Sequence, residues 1–212
     1  MSSRRSKRPY DSSQRKEAAE ATQARILDAA KSLFSRRGID EVTIAEIAER
    51  AGVAGSTIYA LYSSKVGIVR ALMQATLFGP SFQMAQNVLT QTTDPAKLIE
   101  LTAHVARAIY ESESAELGLL RGASSLSPEL RKLEAEFENI RLEMQRERIE
   151  LLFASRLARQ GLDERRARQI MWMYTGRDIY RMLVDESGWS ADEYQAWLAR
   201  TLADALMVNE TT

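Results

Sequence analysis

The stretch Thr43–Lys65, T-I-A-E-I-A-E-R-A-G-V-A-G-S-T-I-Y-A-L-Y-S-S-K, decides the fold. Thr43 and Glu46 have the spacing of a capping box, in which the threonine hydroxyl takes an orphan amide and the glutamate reaches back to the cap N–H. Ile44, Ile47, Ala48 and Ala51 repeat at helical spacing and predict an apolar face about two turns long. Gly52 follows where a left-handed residue ends a helix at little cost. Val53 is an apolar plug, and a second short helix is expected from about Gly55 to Tyr62, with Ile58 and Leu61 turned inward. Two short helices joined by a tight glycine-containing turn make a helix-turn-helix, whose second helix has the dimensions to enter a major groove.

Working outward, residues 17–37 predict a helix with Ile26, Leu27, Ala30, Leu33 and Phe34 on one stripe and Gly38 at its end. Ser64 and Lys65 open another, from Val66 to about Phe78, closed by Gly79-Pro80. These four helices outline a domain over residues 17–78. Before it, residues 1–16 carry Arg4, Arg5, Lys7, Arg8, Arg15 and Lys16 against a single acid, Asp11. Such a segment buries too little apolar surface to order alone. It is either an arm on DNA phosphates or a minor groove, or a solvated tail.

Residues 79–212 are helical in pattern throughout. A helix is expected over 82–90. Asp94-Pro95 is a cap followed by proline at the first helical position, opening a helix over 96–111 whose polar stripe is Lys97, Glu100, His104, Arg107 and Glu111. A short segment at Leu117–Leu120 precedes Ser127-Pro128, which repeats the cap signal. A long helix is expected from there to Gly161, with Leu130, Leu133, Phe137, Ile140 and Met144 inward. Asp163 starts a helix reaching about Glu186, with Ala167, Ile170, Met171, Tyr174 and Leu183 inward. Ser190 and Glu193 form a second capping box before a last helix bearing Tyr194, Trp197, Leu198, Leu202 and Ala205. No strand-like alternation occurs, so the predicted fold is all-α with about nine helices.

The composition narrows the function. At 212 residues and 45% hydrophobic content the chain is long enough for a sizeable core. No apolar run approaches the roughly 18–20 residues of a membrane span, no secretory leader is evident, and the lack of cysteine fits a reducing cytoplasm. One histidine disfavours a multi-histidine metal centre. Lys and Arg outnumber Asp and Glu by 12 to 8 over residues 1–68, and trail them by 17 to 21 over the remainder. A basic first third on an acidic body points that third toward a polyanion.

Residues 25–65 resemble the N-terminal domain of the TetR/AcrR family of bacterial transcriptional repressors. The resemblance rests on Ile26-Leu27, Ala29-Ala30, Leu33-Phe34, Gly38, Thr43, Ile47-Ala48, Ala51-Gly52-Val53, Thr57, Tyr59 and Lys65. Tyr180–Ser190, with Tyr194 and Trp197-Leu198, resembles the last two helices of one common C-terminal type. The resemblance implies an N-terminal helix-turn-helix DNA-binding domain and a C-terminal helical domain for ligand binding and dimerisation over 79–212. It further implies a cytoplasmic homodimer joined through its last two helices, a palindromic double-stranded DNA operator, and release by a small molecule that shifts the fourth helix. Carried over by position, Thr43, Tyr59, Tyr62 and Lys65 meet phosphates, while Gly55, Ser56, Thr57 and Ala60 face the groove. The sequence departs from the family pattern at Ala54, Ala60, Tyr62 and Ser63. Its recognition helix therefore lacks the Arg, Asn or Gln suited to bidentate base contacts, leaving Ser56, Thr57, methyl contacts and DNA shape.

For the effector, Phe82, His104, Tyr110, Phe137, Met144, Trp172, Tyr174 and Arg177 are the candidates, with Arg177 placed to hold an anion. Each aromatic reads equally as core packing. Trp189 and Trp197 read as packing between the last helices. Glu100 and His104 lack the Glu-x-x-His spacing and the repeat of a di-iron bundle, so no metal is expected. No nucleophile elbow, phosphate-binding glycine loop or cluster of catalytic His, Cys and carboxylates is present, so neither catalysis nor a cofactor is expected. A dimeric adaptor answering to a protein partner is the alternative, with a C-terminal half that serves dimerisation alone.

Overall fold

The computed structural model describes residues 12–112 and 127–208. The cluster Arg4, Arg5, Lys7 and Arg8 and the segment Leu117–Leu120 lie outside them. Every regular element described is helical, and the backbone forms two compact units, Met1–Leu72 and Met73–Thr212.

Helix α1, Ser12–Arg37, starts before the expected position, so the last residues assigned to the arm are helical. Ile26, Ala29, Ala30 and Phe34 recur at three- and four-residue spacing and are buried. Gly38, at φ 81°, ends the helix with its N–H on the Phe34 carbonyl at 2.8 Å. Helices α2, Ile44–Ala51, α3, Gly55–Tyr62, and α4, Lys65–Leu77, follow. Ile47, Ala48 and Ala51 of α2, Ile58 of α3, and Ile68 and Val69 of α4 are buried. Leu61, expected inward, is 41% exposed. In so short a helix Ile58 alone reaches the core, and Leu61 lies beyond the buried side.

In the second unit Pro80 opens α5, Pro80–Leu89, and α6 covers Pro95–Ser112 with the Asp94 carboxylate accepting from Ala96 N–H at 3.0 Å. Helix α7, Pro128–Met144, is capped by Ser127, whose hydroxyl accepts from Leu130 N–H at 3.4 Å. The long helix expected to reach Gly161 is divided. It breaks at Gln145, and α8, Arg146–Ala154, stops well short of the glycine. Local sequence gives no stop there; instead Arg159 N–H donates to Leu206 O at 2.8 Å and Val208 N–H to Leu157 O at 3.0 Å. Pairing with the segment after the last helix holds residues 157–159 extended.

The next expected helix is divided as well. Helix α9, Glu164–Tyr174, capped by Asp163, ends at Thr175-Gly176. Helix α10, Arg177–Tyr180, continues as a π-helical turn, Arg181–Glu186. Helix α11, Ala191–Leu206, carries the full Ser190–Glu193 capping box.

Helix α6 organises this unit because it is apolar on two sides. Ile99, Ala103, Ala106 and Tyr110 join Met171, Tyr194, Leu198 and Leu202 in the larger core. Leu98 and Val105 pack with Phe82, Ala85 and Leu89 in a smaller one. Aromatic rings run through the larger core from Tyr110 to Tyr180 (5.5 Å between centroids), Tyr194 (4.8 Å) and Trp197 (6.3 Å), with Trp189 against Trp197 at 6.0 Å. Both tryptophans thus pack where the sequence expected them.

The Tyr194 hydroxyl is buried with no hydrogen-bond partner, and burial pushes its pKa up. Since an unmet buried hydroxyl opposes folding, Tyr194→Phe should leave the protein as stable or raise stability by up to about 1 kcal/mol. Leu198→Ala, which opens a cavity in the same core, should cost about 2–5 kcal/mol. Urea unfolding of the three proteins checks both.

Candidate nucleic-acid interface and buried polar cavity

The N-terminal unit presents α3 through a set of backbone constraints. Thr43 caps α2: its Oγ1 accepts from Glu46 N–H at 3.3 Å, while Glu46 Oε2 accepts from the Thr43 N–H and hydroxyl, each at 2.8 Å. Arg37, at the end of α1, donates to Glu46 Oε1 at 2.6 Å and to Glu41 O at 2.8 Å. The Arg37 guanidinium and the two Thr43 donors hold the Glu46 carboxyl down to about 2. Gly52, at φ 65° and ψ 42°, reverses the chain, and Val53 N–H returns to Ala48 O at 3.0 Å. These bonds fix the α2–α3 turn.

A second constraint joins α3 to α4. A Cβ on residue 67 would sit 1.8 Å from the Tyr62 carbonyl oxygen, so only glycine permits this approach. Ser63 between them adopts φ 62°, and Ser64 Oγ accepts from Gly67 N–H at 3.1 Å. Lys65 is half-buried and its Nζ donates to Asp40 O and Val42 O, both at 3.0 Å. That lysine, expected on phosphate, therefore ties the start of α4 to the α1–α2 connection, with one of its three donors left over. Thr43 differs from expectation in the same way, because its only hydroxyl proton goes to Glu46.

The other expected contacts stay available. Tyr59 is 56% exposed, Ser56 and Ala60 are exposed, and Gly55, Thr57 and Tyr62 are half-buried. Ser56, Thr57 and Ala60 share a shallow groove with Ala18, Ala19 and Thr22 of α1. Apart from Leu61 the lining side chains are small, which allows close approach of a large ligand backbone. Ala54 stands at the α3 N-cap with no side-chain bond, so the first amides of α3 have no cap from that residue. Sequence reasoning missed Gly67; its signal is a glycine inside a helical pattern, and its role shows only in the approach to the Tyr62 carbonyl.

In the second unit a cavity of about 40 Å³ lies among α5, α6, α7 and α8 and the end of α9. Three expected ligand residues, Phe82, Tyr110 and Met144, line it. Five do not. Phe137 is buried, Tyr174 packs on Trp197 at 6.3 Å, and Trp172 lies under Arg141, whose guanidinium is 5.2 Å from the ring centroid. His104 and Arg177 are half-buried elsewhere. The cavity's polar wall was missed: Arg141, Gln145, Arg148 and Thr175.

Thr175 is the hub of that wall. Its hydroxyl donates to Met171 O at 2.7 Å and accepts from Arg141 at 2.9 Å and Gln145 Nε2 at 2.8 Å, while its carbonyl accepts from Tyr110 OH at 2.7 Å. Arg141 also pairs with Glu138 at 2.6 Å and donates to Trp172 O at 2.7 Å. Arg148 has no such partner, and burial pushes its pKa down to about 10.

Comparison with known proteins agrees with the geometry of the first unit. Residues 26–72 match the family described as bacterial regulatory proteins, tetR family. The HTH-type transcriptional regulator TtgR of Pseudomonas putida is 42% identical over 60 residues, 28% of this chain and 29% of that protein. The match therefore spans under a third of the relative's length. The fold extends further. FadR from Bacillus subtilis, solved with stearoyl-CoA, has a TM-score of 0.70 at 19% identity over 86% of this chain and 98% of that one. NalD, the secondary repressor of the MexAB-OprM multidrug efflux pump in Pseudomonas aeruginosa, has a TM-score of 0.69 at 20% identity over 91% and 99%.

Two outcomes follow from the α1–α4 constraints. Gly67→Ala should destabilise the first unit by more than about 1 kcal/mol, since backbone must move to admit the methyl group; hydrogen exchange at the α3 amides measures it. Glu46 titrates lower folded than unfolded, so its stabilisation is full above the ordinary carboxylate range and disappears as pH falls toward about 2. Thermal unfolding between pH 6 and 3 should fall less in Glu46→Gln, which keeps the cap but not the titrating charge.

Proposed function

We propose that this chain belongs to the tetR family of bacterial regulatory proteins and is a homodimeric repressor of transcription, released from a palindromic DNA operator by a small molecule. The carrying observation is α3 held open to solvent by the Gly52 turn and the Tyr62–Gly67 approach, with Tyr59 exposed and Ser56, Thr57 and Ala60 in one groove. Tyr59 and Tyr62 give hydroxyls to phosphate, Gly55 lets the DNA backbone approach, and the spare donor of Lys65 adds a further phosphate contact. Thr43 acts chiefly by holding the start of α2, through which the groove-facing residues keep their position.

With no long polar side chain toward the bases, the operator is chosen by close packing against base edges and by DNA shape. A DNA-binding domain that ends with α4, a basic arm at the N-terminus and a cytoplasmic location complete the reading. Among the described residues no helix is long and apolar enough to cross a membrane.

The cavity beneath α6 favours a small-molecule signal over a protein adaptor, because it brings Arg141, Gln145, Arg148 and Thr175 together with apolar side chains around one chamber. At about 40 Å³ it accepts a headgroup as it stands, and a larger effector has to part α5 from α7. FadR, of the same fold, was solved with an acyl-CoA, which supports a ligand in this half. Dimerisation uses α11 and the segment formed by α10 and its π-helical turn, where Met182 of the turn and Ala196 of α11 are exposed. Two recognition helices then lie about 34–36 Å apart, or at another fixed spacing set by the dimer, and an effector bound to a misplaced spacing weakens DNA binding by linkage.

Selection from a random duplex library should recover a two-fold symmetric motif bound with steep salt dependence. Tyr59→Ala should bind it about tenfold more weakly, the loss expected for one charge-assisted hydrogen bond. Recovery of no motif from the folded protein would reject the repressor reading.

A further inference from the structure

The stripe of side chains that α7 and α8 turn inward runs Phe137, Arg141, Gln145, Arg148, Leu152, at spacings of four, four, three and four. Its three central members are polar and face the cavity. Arg141 is matched by Glu138. Arg148 is only 8% exposed, its Nε has no hydrogen-bond partner, and its side chain makes a long 3.4 Å bond from a terminal nitrogen to the Met144 carbonyl. The carboxylate acting on its charge is that of the adjacent Glu147. Among the described residues it pairs with no carboxylate. A guanidinium keeps its proton inside a protein, and burying a cation without a counter-charge opposes folding.

Gln145 supplies the second unmet group. The single proton of the Thr175 hydroxyl goes to Met171 O, so the side-chain amide facing Thr175 must present its NH₂, as observed at 2.8 Å. Its Oε1 is thereby turned away, buried and without a donor. The remaining wall is mostly apolar, formed by Phe82, Val105, Ala106, Ile109 and Met144 with Gln86, while the hydroxyls of Thr102 and Tyr110 are spent on Leu98 O and Thr175 O. The cavity thus has an apolar chamber, a fixed cation with an idle donor, and an idle acceptor.

From this arrangement we infer that the effector is an apolar molecule carrying a carboxylate, whose oxygens take the Arg148 guanidinium while Gln145 Oε1 accepts from a hydroxyl or a water beside it. The inference rests on reading the cavity as the effector site. The anion completes a pairing that the folded chain leaves open, so the ligand's charge contributes to affinity as well as its apolar area. Neutral and cationic molecules of the same shape fill the chamber and leave Arg148 unmet.

The test uses the full-length protein, titrated calorimetrically with octanoate, 1-octanol and octylamine at equal ionic strength. Octanoate should bind the wild type about tenfold to a hundredfold more tightly than octanol, the range for a hydrogen bond to a charged group. Arg148→Met should lose that preference while binding octanol as before, and should melt no lower than the wild type when free of ligand. Arg148→Lys, keeping the charge without the fork, should retain part of it. Equal binding of octanol and octanoate overturns the inference, as does no binding of octanoate at all. A preference that survives in Arg148→Met, or a large drop in its melting temperature, overturns it too. Selection of DNA by the same preparation keeps the two readings apart: failure there rejects the repressor, whereas failure of the carboxylate preference rejects only the anionic effector.

Discussion

The Tyr62 carbonyl oxygen occupies space that any side chain on residue 67 would claim, 1.8 Å from the position of its Cβ. This contact sets how α3 ends and how α4 begins. It is reinforced by Lys65, which reaches back from the first position of α4 to the carbonyls of Asp40 and Val42 and so holds the connection that leads into α2. Through these bonds the start of the helix-turn-helix and the helix that follows it are referred to one another. The exposed face of α3 is positioned by backbone groups, and its side chains can be small.

The second unit is organised differently. It spends apolar surface on two cores and places a polar network where they meet the cavity. Thr175 receives Arg141 and Gln145 and sends its own proton to Met171. A buried hydroxyl so engaged has one allowed orientation, and that fixes which end of Gln145 faces the chamber. The break in the long helix at Gln145 and the break before Gly176 fall at the two ends of this bond. Helix geometry and polar satisfaction are set together there.

Local signals made most of the frame legible. The capping boxes at Thr43 and Ser190, the caps at Asp94, Ser127 and Asp163, and the left-handed Gly52 all act within a few residues and could be read from spacing. What was not legible depended on distant partners. Residues 155–160 carry no helix-breaking pattern, and α8 stops because residues 157–159 pair with the chain beyond α11. Ile140 was expected inward because it is apolar, but it is 41% exposed, and its neighbour Arg141 takes the inward place. Phe82, Tyr110 and Met144 stand out in the sequence as large apolar or aromatic side chains and do line the cavity, whereas Arg148 does not stand out, since an arginine in a helical stripe ordinarily marks the solvated side. Lys65 was read only as a phosphate partner, and its bonds to the Asp40 and Val42 carbonyls depend on residues more than twenty positions earlier.

Helix α6 belongs to both cores of the second unit, with Ala103 and Ala106 on one side and Leu98 and Val105 on the other. Close-packed interiors are nearly incompressible, so neither side can yield alone. Mechanically the helix is a stiff rod clamped between two solids. Volume inserted on the cavity side becomes displacement of the whole rod, rather than a local dent, and the larger core must shift as a body to accept it. A chamber of about 40 Å³ is in this way coupled to the larger core through the stiffness of one helix.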